Sequence, residues 1–268
     1  MPQINNTHNQ KDNTDQSLAK YREYMIIKSN DLIQKSRFQL SVQEQKIILH
    51  VISKIKPNDE DFILQTIKIP DFCKICGIDY ESGKNYKNIK DTIKTLADKS
   101  VWLTLDDGSE TLIRWINKAW INKRSGMIKI RLDDDMKPYL LQLQERFTQY
   151  ELFYTLAMQS QYSIRVYELL KSYENLNTKT FYIDDLKKIL MCEHYIRFPD
   201  FKRKVLDISM REINQFSDLS IRYKTIKEGR RFAKIEFTIK IKKNANTKVT
   251  NWSQIQIDEI VDIEPDEL

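Results

Sequence analysis

An α+β chain carrying two tandem copies of one plan is what this sequence predicts, and three observations predict it. Its 268 residues suffice for about two domains at roughly 150 residues each. Hydrophobic residues make up 41% and charged residues 31% of the chain, enough apolar material for real cores and unlike a disordered or membrane-embedded chain. Finally, Thr66-Ile67-Lys68-Ile69-Pro70-Asp71-Phe72-Cys73-Lys74-Ile75 resembles Thr180-Phe181-Tyr182-Ile183-Asp184-Asp185-Leu186-Lys187-Lys188-Ile189 at an offset of 114, and internal self-similarity marks a repeated unit.

The first 20 residues are rich in Asn, Gln and Thr and nearly free of apolar side chains, which predicts a disordered polar arm. Apolar spacing then predicts an amphipathic helix over 40–55 with Ile47, Ile48, Val51, Ile52 and Ile55 on one face. Ser41-Val42-Gln43-Glu44 opens it as a capping box. A short strand at the repeated segment follows, then a helical stretch holding Cys73 and Cys76, then a second helix over 86–97 with Tyr86, Ile89, Ile93 and Leu96 inward. Alternation predicts strands over 101–105, 113–121 and 128–132, the last two joined by a turn at 122–126. Residues 133–160 are apolar enough to form a packed connector.

The second half repeats this order. A helix over 162–173 carries Val166, Leu169, Leu170 and Tyr173 on one face, and the repeated strand and helix follow. A helix over 201–216 comes next, with Val205, Ser209 and Ile213 inward and Arg203, Lys204, Asp207, Arg211 and Asn214 outward. Strands 219–223 and 235–241 close the unit across a turn at Lys227-Glu228-Gly229-Arg230-Arg231. Helix, short strand, helix, helix, hairpin in about 100 residues is the plan of a winged helix, a helix-turn-helix closed by a β-hairpin wing. The expected units are 1–20 as the arm, 21–145 and 146–245 as the two winged-helix domains, and 246–268 as an acidic tail.

Charge locates the working surface. The net charge is +6, yet six acids and no base lie between Asn251 and Leu268, which leaves +12 on the preceding residues. Residues 195–243 hold 14 bases against 6 acids, and such a basic body favours a polyanionic partner. Arg197, Lys202, Arg203 and Lys204 cluster at the start of the 201–216 helix, with Arg211 farther along the same outward face. In a helix-turn-helix this helix enters the major groove with its N-terminal residues nearest the bases. Lys227, Arg230 and Arg231 surround Gly229 at the wing tip, where a positive φ suits glycine. The first half offers a diluted version, with Lys84 and Lys87 about its second helix and Lys123 and Arg124 on its wing. Arginine, the usual bidentate reader of guanine, is absent from that helix, so the first domain is expected to make phosphate contacts or to contact protein, and the second to read sequence.

Enzymatic readings fail on the residues present. Only 5 glycines occur, and Gly77 and Gly83-Lys84 are one residue too far apart for a phosphate-binding loop, with Asn85 where Ser or Thr must bind Mg²⁺. His8, His50 and His194 are scattered, Asp133-Asp134-Asp135 reads as a solvated helix cap, and Cys73-Lys74-Ile75-Cys76 lacks a second ligand pair, so its cysteines read as buried thiols. No cofactor, metal or catalytic residue is expected. Three cysteines, no signal-like apolar run after Met1 and no stretch of 18 uncharged apolar residues predict a cytoplasmic protein without a membrane span.

The segment Tyr162-Ser163-Ile164-Arg165-Val166-Tyr167-Glu168-Leu169-Leu170-Lys171-Ser172-Tyr173, with Phe198-Pro199-Asp200-Phe201-Lys202-Arg203-Lys204-Val205-Leu206 and Arg211-Glu212-Ile213-Asn214, resembles the plasmid replication initiators that bind iterons. The helix from Leu40-Ser41 and the turn at 227–231 fit the same pattern, so the likeness runs over about 25–241. It implies paired winged-helix domains, the second reading double-stranded origin repeats through Arg203 and its neighbours, the first contacting backbone and forming a dimer interface. It further implies monomers that act with a host initiator and the replicative helicase, in equilibrium with homodimers that repress their own gene. A winged-helix transcriptional regulator without a replication role is the alternative.

Overall fold

The computed structural model describes residues 24–56, 59–70, 73, 84–122 and 124–243. The expected polar arm and acidic tail, Cys76, the glycines Gly77 and Gly83, and Lys123 lie outside these residues.

The first half runs β1 (Met25–Ser29), α1 (Asn30–Gln34), β2 (Ser36–Arg37), α2 (Val42–Ile52), β3 (Gln65–Lys68), α3 (Lys84–Ala97), β4 (Ser100–Thr104), β5 (Glu110–Arg114), β6 (Ile116–Asn122) and β7 (Met127–Leu132). A connector follows with α4 (Lys137–Leu140), β8 (Phe147–Glu151) and α5 (Phe153–Leu156). The second half runs α6 (Gln161–Lys171), β9 (Thr178–Tyr182), α7 (Ile183–Ile189), α8 (Phe198–Phe201), a π turn (Lys202–Leu206), α9 (Asp207–Phe216), β10 (Leu219–Glu228) and β11 (Arg231–Ile241).

The internal repeat is a repeat of topology. In each half the short strand pairs antiparallel with the returning strand of the wing, giving the orders β3-β7-β6 and β9-β11-β10. Ile67 and Phe181, 114 residues apart, face Ile128 and Ile235 across these ladders, and all four are buried. Ile69 and Ile183 are buried beside them. The first half adds the sheet β2-β4-β5, and β1 pairs with β8 of the connector.

Ser41 caps α2 as its sequence requires: its hydroxyl accepts from the Glu44 amide while the Glu44 carboxylate accepts from the Ser41 amide at 2.6 Å. Three expectations change. The single strand over 113–121 is two strands in different sheets. Trp115 and Ile116 are both buried, which breaks the period of two, and the Trp115 ring packs edge-on against Phe38 at 4.9 Å where the chain changes sheet. The two central helices are not one-faced, since every residue from Glu44 to Ile52 in α2 and from Tyr162 to Lys171 in α6 is buried. A helix buried all round lies between other elements; here Gln45 of α2 donates to the Gln161 carbonyl at the start of α6 at 3.1 Å. The wing is also longer than its alternation suggested, since β10 and β11 pair along Leu219–Ile241 with a bulge at Ile226/Lys227.

The charges buried in α6 form one network. Glu168 accepts from the Lys28 ammonium of β1 at 2.5 Å and from the Tyr150 hydroxyl of β8 at 2.5 Å. Arg165 reaches Glu168 at 3.4 Å, donates to the carbonyls of Ile33 and Ser36 at 3.3 Å each, and lies over the Phe38 ring at 4.2 Å. The residues 25–38, β8 and α6 are thereby tied through one carboxylate. Asp133 caps the short turn Asp134–Met136 by accepting from the Asp135 amide, and Asp134 is held well below the usual carboxylate range by Arg131 and Lys137. Among the described residues no helix is long and apolar enough to cross a membrane.

Candidate nucleic-acid interface

α7 ends in a Schellman turn. The Cys192 amide donates to the Lys187 carbonyl at 2.9 Å and the Met191 amide to the Lys188 carbonyl at 3.1 Å, with Met191 at φ 49°. The chain then swings through Tyr195, whose carbonyl accepts from the buried Lys187 ammonium at 2.6 Å, into α8. Pro199 stands in the first turn of α8, where its missing amide costs nothing.

From Phe198 to Phe216 the chain is one helical rod interrupted by the π turn, which carries Lys202, Arg203 and Lys204. Phe201, Val205, Ser209 and Ile213 are its buried side; each of the larger apolar ones stabilises the packing by about 1.5–3 kcal/mol. The motif Arg211-Glu212-Ile213-Asn214 divides its labour. Glu212 accepts from the Gln159 and Ser160 amides at 3.2 Å each, at the start of α6 where a carboxylate suits the helix dipole. Ile213 fills the core, and Arg211 is exposed. Asn214 was expected on the outward face; instead its side chain clamps β10, donating to the Ile221 carbonyl at 2.9 Å and accepting from the Ile221 amide at 2.6 Å. An amide side chain that satisfies both backbone groups of one strand residue is worth more there than in water.

The start of the rod is joined to the wing. Phe198 stacks on Phe232 of β11 with ring centroids 4.4 Å apart and planes 26° apart. The Lys227 ammonium lies over the other partner, Phe232, at 4.9 Å. Asp207 pairs with Lys202 at 2.7 Å and accepts a short hydrogen bond from the Tyr223 hydroxyl of β10. Partial burial works against ionisation of Asp207, yet Lys202 and Tyr223 hold its carboxyl below the ordinary range, and burial together with Asp207 pushes Tyr223 up to about 12. Asp207 thereby ties the rod to the wing.

Around it stand the charged residues read from the sequence. Arg197, its side chain 77% exposed, pairs with Asp200 at 3.3 Å; Arg203, Lys227, Arg230 and Arg231 are exposed and Lys204 is half-buried. Gly229, at φ 64°, makes the two-residue turn that brings Arg230 and Arg231 next to Phe232. In the first half Lys84 opens α3 and Lys87 is exposed on it, while Arg124 is exposed on the β6–β7 turn, whose Asn122 side chain accepts from the Arg124 and Ser125 amides. Exposed Trp120, with Lys129 over its ring at 5.2 Å, stands on that first wing.

Sequence reasoning missed the Phe198–Phe232 stack, the Asp207–Tyr223 bond and Trp120. Phe198 and Phe232 were readable only as aromatic residues bordering basic runs. Replacing Phe232 with alanine is expected to remove the stabilisation of about 0.5–1.5 kcal/mol that an aromatic pair is worth beyond the burial of its rings, and to release the wing from the rod. Urea denaturation of the variant beside the wild type checks the loss of stability.

Family models described as "Initiator Replication protein, WH1" and "Initiator Rep protein, WH2" match residues 25–171 and 182–239. The "PI protein" of Escherichia coli is 30% identical over 145 residues, covering 47% of this chain and 47% of the relative. A "Replication initiation protein" of Escherichia coli is 26% identical over 211 residues, covering 74% of this chain and 65% of the relative. The chain thus spans about half to two thirds of the length of these curated relatives. The crystal structure of a Pi initiator protein in complex with iteron DNA shares its fold, with a TM-score of 0.68 at 23% identity over 83% of this chain and 99% of that one.

Proposed function

Because the chain belongs to the initiator replication protein family, with that family's WH1 and WH2 winged-helix domains in tandem, we propose that it starts plasmid replication by binding direct repeats, iterons, in double-stranded origin DNA. The observation that carries this reading is the Phe198–Phe232 stack, which sets the basic start of the rod beside the basic wing tip. One group then enters the major groove while the other holds the flanking backbone.

The working division is 21–145 for backbone contact and dimerisation and 146–245 for reading sequence. Lys202, Arg203, Lys204 and Arg211 face bases and adjoining phosphates; Arg197, Lys227, Arg230 and Arg231 hold phosphates, as do Lys84, Lys87, Lys123 and Arg124 of the first domain. The bound monomer opens the origin together with a host initiator and the replicative helicase, in the cytoplasm and without nucleotide, metal or catalytic residue of its own. A dimer represses its own gene.

The decisive experiment supplies the protein in trans to a plasmid whose only origin is its repeat array. Maintenance of that plasmid is expected, with a footprint of about 20 base pairs per repeat, roughly two helical turns. Protected repeats with no maintenance would overturn the initiator role. At residue level, Arg203→Ala is expected to weaken specific binding by about 1–3 kcal/mol and to relax one base position. Lys227→Ala or Arg231→Ala should weaken all sequences alike and reduce the salt slope by about 1. Equal losses on specific and random duplexes for Arg203→Ala would remove it from base reading.

A further inference from the structure

Ile196 is out of place by the rules that govern the rest of its unit. The other apolar side chains of the helix-turn-helix core are withdrawn from water: Ile183, Leu186, Leu190, Cys192, Phe201 and Val205 are all 5% exposed or less. Ile196 is 88% exposed, against 61% for Ile63, the next among the exposed large hydrophobics of the described residues. Leaving an isoleucine in water instead of burying it forgoes about 1.5–3 kcal/mol.

The exposure is not that of a frayed loop. The Ile196 amide donates to the His194 carbonyl at 2.9 Å, and the Tyr195 amide to the Cys192 carbonyl at 3.1 Å. The Tyr195 carbonyl is held by buried Lys187, and the Arg197 carbonyl accepts from the amides of Asp200 and Phe201 at 3.2 Å each. Anchored on both sides, the backbone holds this side chain out just ahead of the first residue of α8.

Two kinds of partner take up an exposed apolar side chain, a protein surface and the methyl group of thymine. A large contiguous apolar patch marks a protein interface, whereas the turn around Ile196 presents exposed Glu193, His194 and Arg197. One aliphatic side chain is what a single thymine methyl takes in the major groove. The turn that delivers the recognition helix, with Arg197 and Lys202 beside it for the phosphates, is where such a contact can be made.

We propose that Ile196 is a specificity-determining residue that packs against the 5-methyl group of a thymine at the edge of the site read by the rod. The proposal rests on the DNA-reading function above and adds a chemical group and a side chain to it.

The test is to select the preferred duplex from a random pool with the full chain. Each thymine of that duplex is then replaced singly by deoxyuridine, which lacks only the methyl. One replacement is expected to weaken wild-type binding about fourfold, the equivalent of one buried methylene. Ile196→Ala should bind the unmodified duplex at least that much more weakly, show no further loss at that deoxyuridine, and keep the wild-type salt slope. Indifference of the wild type to every replacement, or an undiminished deoxyuridine penalty in Ile196→Ala, would overturn the proposal while leaving DNA reading intact. A pool that yields no preferred sequence would overturn both.

Discussion

Replacing Glu168 with glutamine is expected to cost about 3–5 kcal/mol of folding stability, the range seen when one partner of a buried ion pair is removed. Its side chain is 1% exposed and faces two cations, Lys28 and Arg165. Burial works against every charge in this group. It lowers Lys28 and Arg165 and would raise Glu168, but the two cations more than offset that and keep Glu168 below its ordinary range. Glutamine keeps the shape and can still bond Tyr150, so the loss reports the charge. Lys28 would then be buried without the carboxylate that favours its charged form. Adding Lys28→Met to Glu168→Gln should therefore recover part of the stability, a coupling that a double-mutant cycle by urea denaturation measures directly. A loss under about 1 kcal/mol in the single variant would show that water or rearrangement solvates the site. The structural consequence follows from position: the carboxylate ties β1, β8 and α6 to one another, all within the residues matched as WH1, so their packing hangs on it.

The network also shows where reading the sequence stops. The fold was legible because its signals are local. The Ser41–Glu44 box and the alternating strands each lie within a short window, the repeat is a likeness between two short windows 114 residues apart, and each reappears in the structure. The β5–β6 break was only half legible: two adjacent apolar residues, Trp115 and Ile116, do mark a change of face, but not a change of sheet. Arg165, Glu168 and Lys171 look like the solvent side of an amphipathic helix, because periodicity distinguishes polar from apolar faces and not water from a polar network. Their partners Lys28, Ser36 and Asp218 stand between 47 and 140 residues away. The candidate interface divides the same way. The bases at the rod and wing were countable in sequence, whereas the stack that aligns them joins Phe198 to Phe232 and exists only once both are folded.

Acidification is expected to remove stability through His50, whose imidazole lies in the last turn of α2 at 3% exposure. Two effects oppose each other there. A cation at a helix C-terminus gains about 0.3–1 kcal/mol from the dipole, while taking the charged ring out of water costs several. Burial wins, helped by the nearby Lys54 ammonium, and the folded-state pKa is depressed from 6.5 to about 3. Between those values the unfolded chain binds a proton that the native protein refuses. The stability contributed by neutral His50 is thus complete above about pH 6.5 and is lost as the pH falls towards 3, at about 1.4 kcal/mol per unit and about 4–5 kcal/mol in all. Carboxylates titrate over the lower part of this range, so the wild type alone does not isolate the histidine. The measurement is the difference in urea stability between wild type and His50→Gln at pH 7, 6, 5 and 4. Below pH 6.5 that difference should shift against the wild type by about 1.4 kcal/mol per unit. Parallel profiles would mean that the native protein admits the proton, and that α2 opens to water at lower cost than its burial implies.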